Sequence, residues 1–312
     1  MGGMRLTKFM CALVMGSSLA VGPEPVSPES RPSVPRGDYP LRQGPRIPPM
    51  PLIRRYAWLT AAVLCSDRQL QNWDCRSCRP LGNTIRFIRG LENEEFGTRG
   101  FVGIDETNKR ILVVFRATEN AINARQSRNI AQVPFEPARD NSVRVTRGPL
   151  SAMESLEGQM LETLRPMVRY PGLAGYKLAF VGHSLGSTLA SLSAARVKVT
   201  LNIPSDRIEV YAYAMPRSGN RDFAEWYNHL DFAVARVVNH NDLIPHIIGG
   251  NGRLVHIKTE LWVTGPFDNE RIIICNTTTL EDPYCSKSIP RSRLSYDPHY
   301  YMFDVSYLGE RC

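Results

Sequence analysis

Apolar positions in this chain fall into short continuous runs and longer stretches at helical spacing, with polar turns between them. Residues 52–64 carry apolar side chains on most helical faces directly after Pro51, which predicts a first helix. The runs 85–88, 100–104 and 110–115 read as strands, the last two joined by a polar turn at 105–109. Residues 119–147 show weak periodicity and many polar groups, the character of a lid or binding loop. Residues 153–168 are again helical and weaken at Pro166. A strand over 178–181 then runs into a helix of small residues. Beyond it come a strand over 208–214, a turn at 216–220, a helix through Phe223 and Trp226, and a strand over 233–238. Strands alternating with helices imply the α/β class: a mainly parallel central sheet, right-handed crossovers and helices on both faces.

The two ends change this picture in two ways. Arg5 and Lys8 precede an apolar stretch that closes on Ser17-Ser18-Leu19-Ala20, which fits a signal peptide over 1–20 and a secreted, extracellular product. Residues 21–51 hold ten of the 23 prolines and few large apolar groups, so they read as an extended leader or pro-segment. That leaves 52–312 as one catalytic domain. Arg54-Arg55 also fits a processing site, but the helical pattern runs through it. No later run is long and apolar enough for a membrane span. The net charge of +8 is spread without a basic tract, zinc-finger spacing or RNA-binding aromatic motif, which argues against nucleic acid and suits an anionic interface. Apart from Cys11, six cysteines remain, an even number for a secreted chain, and spacing leaves fifteen pairings open. Cys75-Arg76-Ser77-Cys78 is the spacing of a redox or zinc half-site, yet no second such pair accompanies it, so it reads as a structural bridge. Asn276-Thr277-Thr278 is a glycosylation sequon.

The candidate chemistry centres on Gly182-His183-Ser184-Leu185-Gly186, set between the 178–181 strand and the small-residue helix. A strand-turn-helix of this kind holds a serine at a strained position with its hydroxyl clear of the sheet. The free amides of the helix's first turn point at whatever that hydroxyl attacks. A serine hydroxyl needs a base, and the base needs an acid to fix its tautomer. In hydrolases with this elbow the order along the chain is Ser, then Asp or Glu, then His. Asp242 lies just beyond the 233–238 strand, at the edge of the sheet where ligands bind, whereas Asp222 and Asp231 flank the intervening helix. His246, His256 and His299 follow. His246, only four residues on, reads as packing beside the acid, which leaves His299, in a turn-rich loop near the C-terminus, ahead of His256, in an apolar strand-like run. His183 reads as a packing residue.

These residues together resemble the class 3 lipases of filamentous fungi, an α/β-hydrolase family that includes feruloyl esterases. The resemblance runs from about residue 52 to 312. It rests on WDCxxC at 73–78, VFRxT at 114–118, GHSLG, PRxGN at 216–220, NDxIPH at 241–246, the Cys275 and Cys285 pair, and the segment 297–303. It implies a triad of Ser184, Asp242 and His299, and an oxyanion hole from Thr118 and the Leu185 amide. It also implies bridges of Cys65 with Cys312, Cys75 with Cys78, and Cys275 with Cys285. The implied activity is hydrolysis of acylglycerol esters at a lipid–water interface through an acyl-enzyme, with no cofactor or metal. Three departures bear on substrate. Ala117 stands where the family usually has glycine. The lid at 119–130 lacks tryptophan, carries Arg125 and Arg128, and offers only Ile122 and Ile130 as large apolar contacts. The 145–150 segment after the lid is altered. They keep a feruloyl or short-acyl esterase, and an inactive hydrolase fold used for binding, as alternatives.

Overall fold

In the computed structural model the described residues are 46–249, 252–266, 269–277, 279–308 and 312. The expected signal peptide, the leader up to residue 45 and Thr278 of the sequon lie outside them. Helix α1, Met50–Ala62, starts two residues ahead of the apolar pattern, with prolines at its N-terminus where a missing amide costs nothing. Arg54 and Arg55 lie within it. Helix α2, Asp67–Asn72, opens on a reciprocal Ser66/Gln69 capping box. Three antiparallel strands follow: β1 Ile85–Asn93, β2 Thr98–Asp105 and β3 Arg110–Phe115. Then come helix α3 Ala121–Ser127, the small hairpin of β4 Gln132–Pro134 and β5 Arg144–Thr146, and the long helix α4 Arg147–Arg169. Helix α4 begins six residues before its apolar periodicity, and it continues past Pro166 because that proline is exposed in the last turn.

The rest alternates strand and helix: β6 Lys177–His183, α5 Leu185–Leu201, β7 Ile208–Tyr213, α6 Arg221–His229, β8 Ala233–Asn239 and the short α7 Ile244–Ile247. Two strands not anticipated from the pattern, β9 Glu260–Thr264 and β10 Arg271–Ile274, complete the sheet. Its order is β1-β2-β3-β6-β7-β8-β9-β10, parallel from β3 to β9 and antiparallel at both margins.

Side chains that alternate along each strand divide the interior into two cores, one per face. Ile111, Val113 and Phe115 of β3, with Leu178 and Phe180 of β6, pack on α4, α5 and α6. Their neighbours Leu112, Val114, Ala179 and Val181 pack on α1 together with Tyr211 and Tyr213. Disulfides join Cys65 at the end of α1 to Cys312, Cys75 to Cys78, and Cys275 to Cys285. The chain closes with a two-stranded ribbon, β11 Tyr301–Met302 and β12 Val305–Ser306, packed on α1.

Candidate active site

The sharpest backbone feature lies where β6 meets α5. Ser184 has φ 55° and ψ −125°, in the left-handed half of the map that a non-glycine residue enters only when its surroundings hold it there. Two glycines make room for that turn. A Cβ on Gly182 would lie 2.1 Å from the Gly186 carbonyl oxygen, and one on Gly186 would lie 2.4 Å from the Phe115 carbonyl oxygen. The second contact brings the end of β3 against the first turn of α5. The Arg116 carbonyl lies 2.9 Å from the same Cβ, so the strand end that leads to Thr118 passes against Gly186, next to Leu185, which as the first helical residue has no acceptor for its amide within its own helix. Ser184 is held from behind by its amide on the Tyr213 carbonyl (2.9 Å), and Ser187 binds the Ser184 carbonyl through both amide and hydroxyl.

Asp242 and His299, 57 residues apart, meet at the same edge of the sheet. Asp242 is fully buried, and its Oδ2 accepts a 2.9 Å hydrogen bond from His299 Nδ1. A carboxylate only accepts, so Nδ1 carries the hydrogen and Nε2 is left as the basic nitrogen. Oδ1 accepts the Ile244 amide, also at 2.9 Å. The two loops are laced together: the Leu243 amide binds the Ser295 carbonyl, the Ser295 amide binds the Asn241 carbonyl, and the Asn241 side chain binds the Arg293 carbonyl.

Two residues outside the expected triad, Asn239 and the packing residue His183, shape this contact. Asn239, the last residue of β8 and fully buried, donates its side-chain amide to the carbonyls of Pro298 (2.9 Å) and Tyr301 (2.8 Å), one on each side of His299. The available signal was an amide residue closing a strand that is apolar apart from Arg236. His183 packs its ring 4.5 Å from that of His299 and stacks on Tyr307 at 4.1 Å, while the Tyr307 hydroxyl pairs with Thr60 Oγ1. Burial first, and then the neighbouring His299, holds the His183 imidazole well below the usual histidine range, so it sits as a neutral platform.

The structure places the other candidates elsewhere. His256 is buried with Nε2 on the Pro245 carbonyl at 2.8 Å, away from Asp242. Burial, then Arg236 and Arg217, pushes its imidazole well below the usual range. His246 follows Asp242 on α7 and is likewise lowered by burial, with Arg217 adding to it. Arg217 forks onto Glu281 at 2.6 and 3.0 Å and binds the carbonyls of Pro245 and Ile248, which ties the loop after Asp242 to the loop closed by Cys275 and Cys285. Among the described residues, Glu260 with Cys275 and Cys285 forms a cluster of metal-ligating types. Both sulfurs are bonded to each other, however, and Glu260 holds Arg236 and the Ser286 amide. Thr118 is buried with its hydroxyl 3.3 Å from that of Ser127, the last residue of α3, so the polar segment at 119–130 folds back onto Thr118. Ile122 and Ile130, the large apolar groups of that segment, are 43% and 50% exposed.

The family model described as Lipase (class 3) matches residues 112–251, a span that includes β3, Thr118, the elbow and Asp242. A lipase of Rhizomucor miehei is 28% identical over 221 residues, which is 70% of this chain and 58% of that protein. A secreted mono- and diacylglycerol lipase A of Penicillium cyclopium is 27% identical over 54% of this chain and 53% of its own length. The chain thus spans little more than half of these relatives. In three dimensions, a fungal lipase–inhibitor complex described as a model for interfacial activation superposes with a TM-score of 0.75 at 25% identity, over 82% of this chain and 94% of that one. Over residues 112–251 the chain is similar to the class 3 lipase family. Its sheet of eight strands, parallel at the centre with helices on both faces, is the α/β-hydrolase fold of that family. The class 3 lipase match ends before His299. Only the folded chain brings that residue to the acid, across 57 positions.

Proposed function

We propose that this chain is an extracellular serine ester hydrolase acting on acylglycerols, with Ser184, Asp242 and His299 as its triad. The observation that carries the reading is the buried Asp242–His299 hydrogen bond at 2.9 Å, seated against the nucleophile elbow through the His183 ring. In the reaction His299 Nε2 takes the Ser184 hydroxyl proton, and Ser184 Oγ attacks the ester carbonyl. The Leu185 amide and Thr118 hold the developing oxyanion, and His299 returns the proton to the leaving alcohol. Water, activated by the same imidazole, then releases the acid. Asp242 fixes the ring's tautomer and stabilises the imidazolium that forms. Loss of one oxyanion donor typically costs about 3–4 kcal/mol of transition-state stabilisation. Support for an acylglycerol substrate comes from the class 3 lipase match and from relatives named as lipases. Support for an extracellular site comes from the signal-like N-terminus, the three disulfides and the Penicillium relative described as secreted.

One observation favours a second reading, a soluble short-acyl or feruloyl esterase. The segment that folds back onto Thr118 is polar and offers only two aliphatic contacts to an oil surface. Rates on emulsified acylglycerols, soluble short-chain esters and feruloyl esters separate the two, with Ser184→Ala as the blank. The acylglycerol reading expects higher rates on emulsified than on soluble ester, and none from the blank. A preference for feruloyl esters rejects the substrate class, and equal activity in the blank rejects the mechanism.

A further inference from the structure

The segments that border the elbow carry exposed arginines with very few acids among them. Arg125 and Arg128 lie in and just after α3, whose Ser127 touches Thr118. Arg147 opens α4 and is stitched to the same segment, its amide on the Ala131 carbonyl and the Gly148 amide on the Asn129 carbonyl. Arg293 offers its carbonyl to Asn241, the neighbour of Asp242, and Arg291 precedes it in the same turn. All five side chains are exposed, and none makes an ion pair with an acid among the described residues. Across 117–132, 144–150 and 289–299 the only acidic residues are Glu119 and Asp297. Ile122 and Ile130, both about half-exposed, flank the two lid arginines.

We propose that this arginine-bordered face seats the enzyme on anionic lipid, so that the ester is taken from a surface rich in negatively charged headgroups rather than from a neutral oil surface. The choice of lipid as carrier of the negative charge rests on the function proposed above. Two half-exposed isoleucines bury too little apolar area to hold the chain on a neutral interface. An arginine near an anionic membrane surface strengthens partitioning by about fivefold, and such gains fade as salt screens them. Aliphatic groups on either side of paired arginines fit a shallow seat at the headgroup boundary. The segments that carry these arginines also touch Thr118 and the neighbour of Asp242.

The test uses the full chain carrying Ser184→Ala, so that binding is read without turnover. Co-sedimentation is measured with vesicles of phosphatidylcholine alone and with vesicles of equal parts phosphatidylcholine and phosphatidylglycerol, at low and high salt. Three matched double variants are compared: Arg125→Gln/Arg128→Gln, Arg291→Gln/Arg293→Gln and Arg165→Gln/Arg169→Gln. The last pair is exposed at the far end of α4, about 30 Å along the helix from Arg147. Thermal melting confirms that each variant is folded. The expected result is binding to the anionic vesicles only, lost at high salt. Each site-bordering pair then weakens it by about tenfold or more, and the α4 pair by less than about twofold. Equal binding to both vesicle types, or equal loss from the α4 pair, overturns the proposal. So does tighter binding to a single-stranded oligonucleotide than to vesicles, which would point to a polymeric polyanion instead. A chain that binds anionic vesicles but hydrolyses no ester with Ser184 restored would sink the proposed function and leave this surface supported. Hydrolysis without the vesicle preference would do the reverse.

Discussion

Replacing Asn239 by leucine removes two hydrogen bonds while keeping a side chain of similar size. In the native chain this amide bridges the carbonyls of Pro298 and Tyr301, and its residue is fully buried. Both carbonyls therefore lose this donor inside the fold, while the Pro298 carbonyl keeps the Tyr301 amide. A lost hydrogen bond costs about 0.5–1.5 kcal/mol and an unsatisfied buried polar group about 1–3 kcal/mol, which puts the combined loss of stability at about 1.5–4.5 kcal/mol. The larger consequence is local. The two carbonyls bracket His299, and the Asp242 contact depends on where that loop sits. A displacement of about 1 Å in a catalytic group can cost a hundredfold in rate. Steady-state hydrolysis of a soluble chromogenic ester, at a temperature where chemical denaturation shows the variant folded, should give a kcat reduced by about tenfold to a hundredfold with KM little changed. A stable variant with kcat within about twofold of the parent would refute the positioning role. A stability loss with unchanged kcat would refute it equally.

Two further outcomes follow from the geometry. Gly186→Ala forces a methyl to within 2.4 Å of the Phe115 carbonyl oxygen, where only backbone can yield. The variant should lose at least about 1–3 kcal/mol in denaturant titrations and separate Thr118 from the Leu185 amide. A fully active, equally stable variant would show that the strand and helix do not approach so closely. Stability should also fall as pH drops below about 6.5, because buried His183 and His256 stay neutral in the folded chain while the unfolded chain takes up protons there. Their folded values are depressed, so the slope is about 1.4 kcal/mol per pH unit for each histidine until the folded form protonates as well. His256→Gln should reduce that slope by one histidine's share, and an unchanged slope would contradict the assignment.

The elbow was legible in the sequence because its parts are contiguous: an apolar strand, two spaced glycines and a helix of small residues. The strands β3, β6 and β7 were legible for the same reason, since each is a local apolar run, but which side chains face which core emerged only in the fold. What could not be read depended on distant contacts. The start of α4 was hidden by Gly148 and Pro149, which read as breakers but are tolerated in a first turn. β9 and β10 are short, and they are strands because they pair with β8 and with each other at the sheet margin. The choice between His256 and His299 stood open because no pattern in the sequence says which loop returns to Asp242. In the folded chain His299 lies on Asp242, whereas His256 is tied to the Pro245 carbonyl. Asn239 and Ser127 escaped notice because their partners, the Pro298 and Tyr301 carbonyls and Thr118, are named only by the fold.

The central claim is that Ser184 is a nucleophile activated through His299 and Asp242. Reaction with an alkyl phosphonate ester, followed by intact-mass and peptide-level mass spectrometry, tests it without assuming a substrate. The account predicts a single adduct on Ser184, absent in Ser184→Ala and formed far more slowly in His299→Ala. No adduct, an adduct on another residue, or an equal rate without His299 would contradict it.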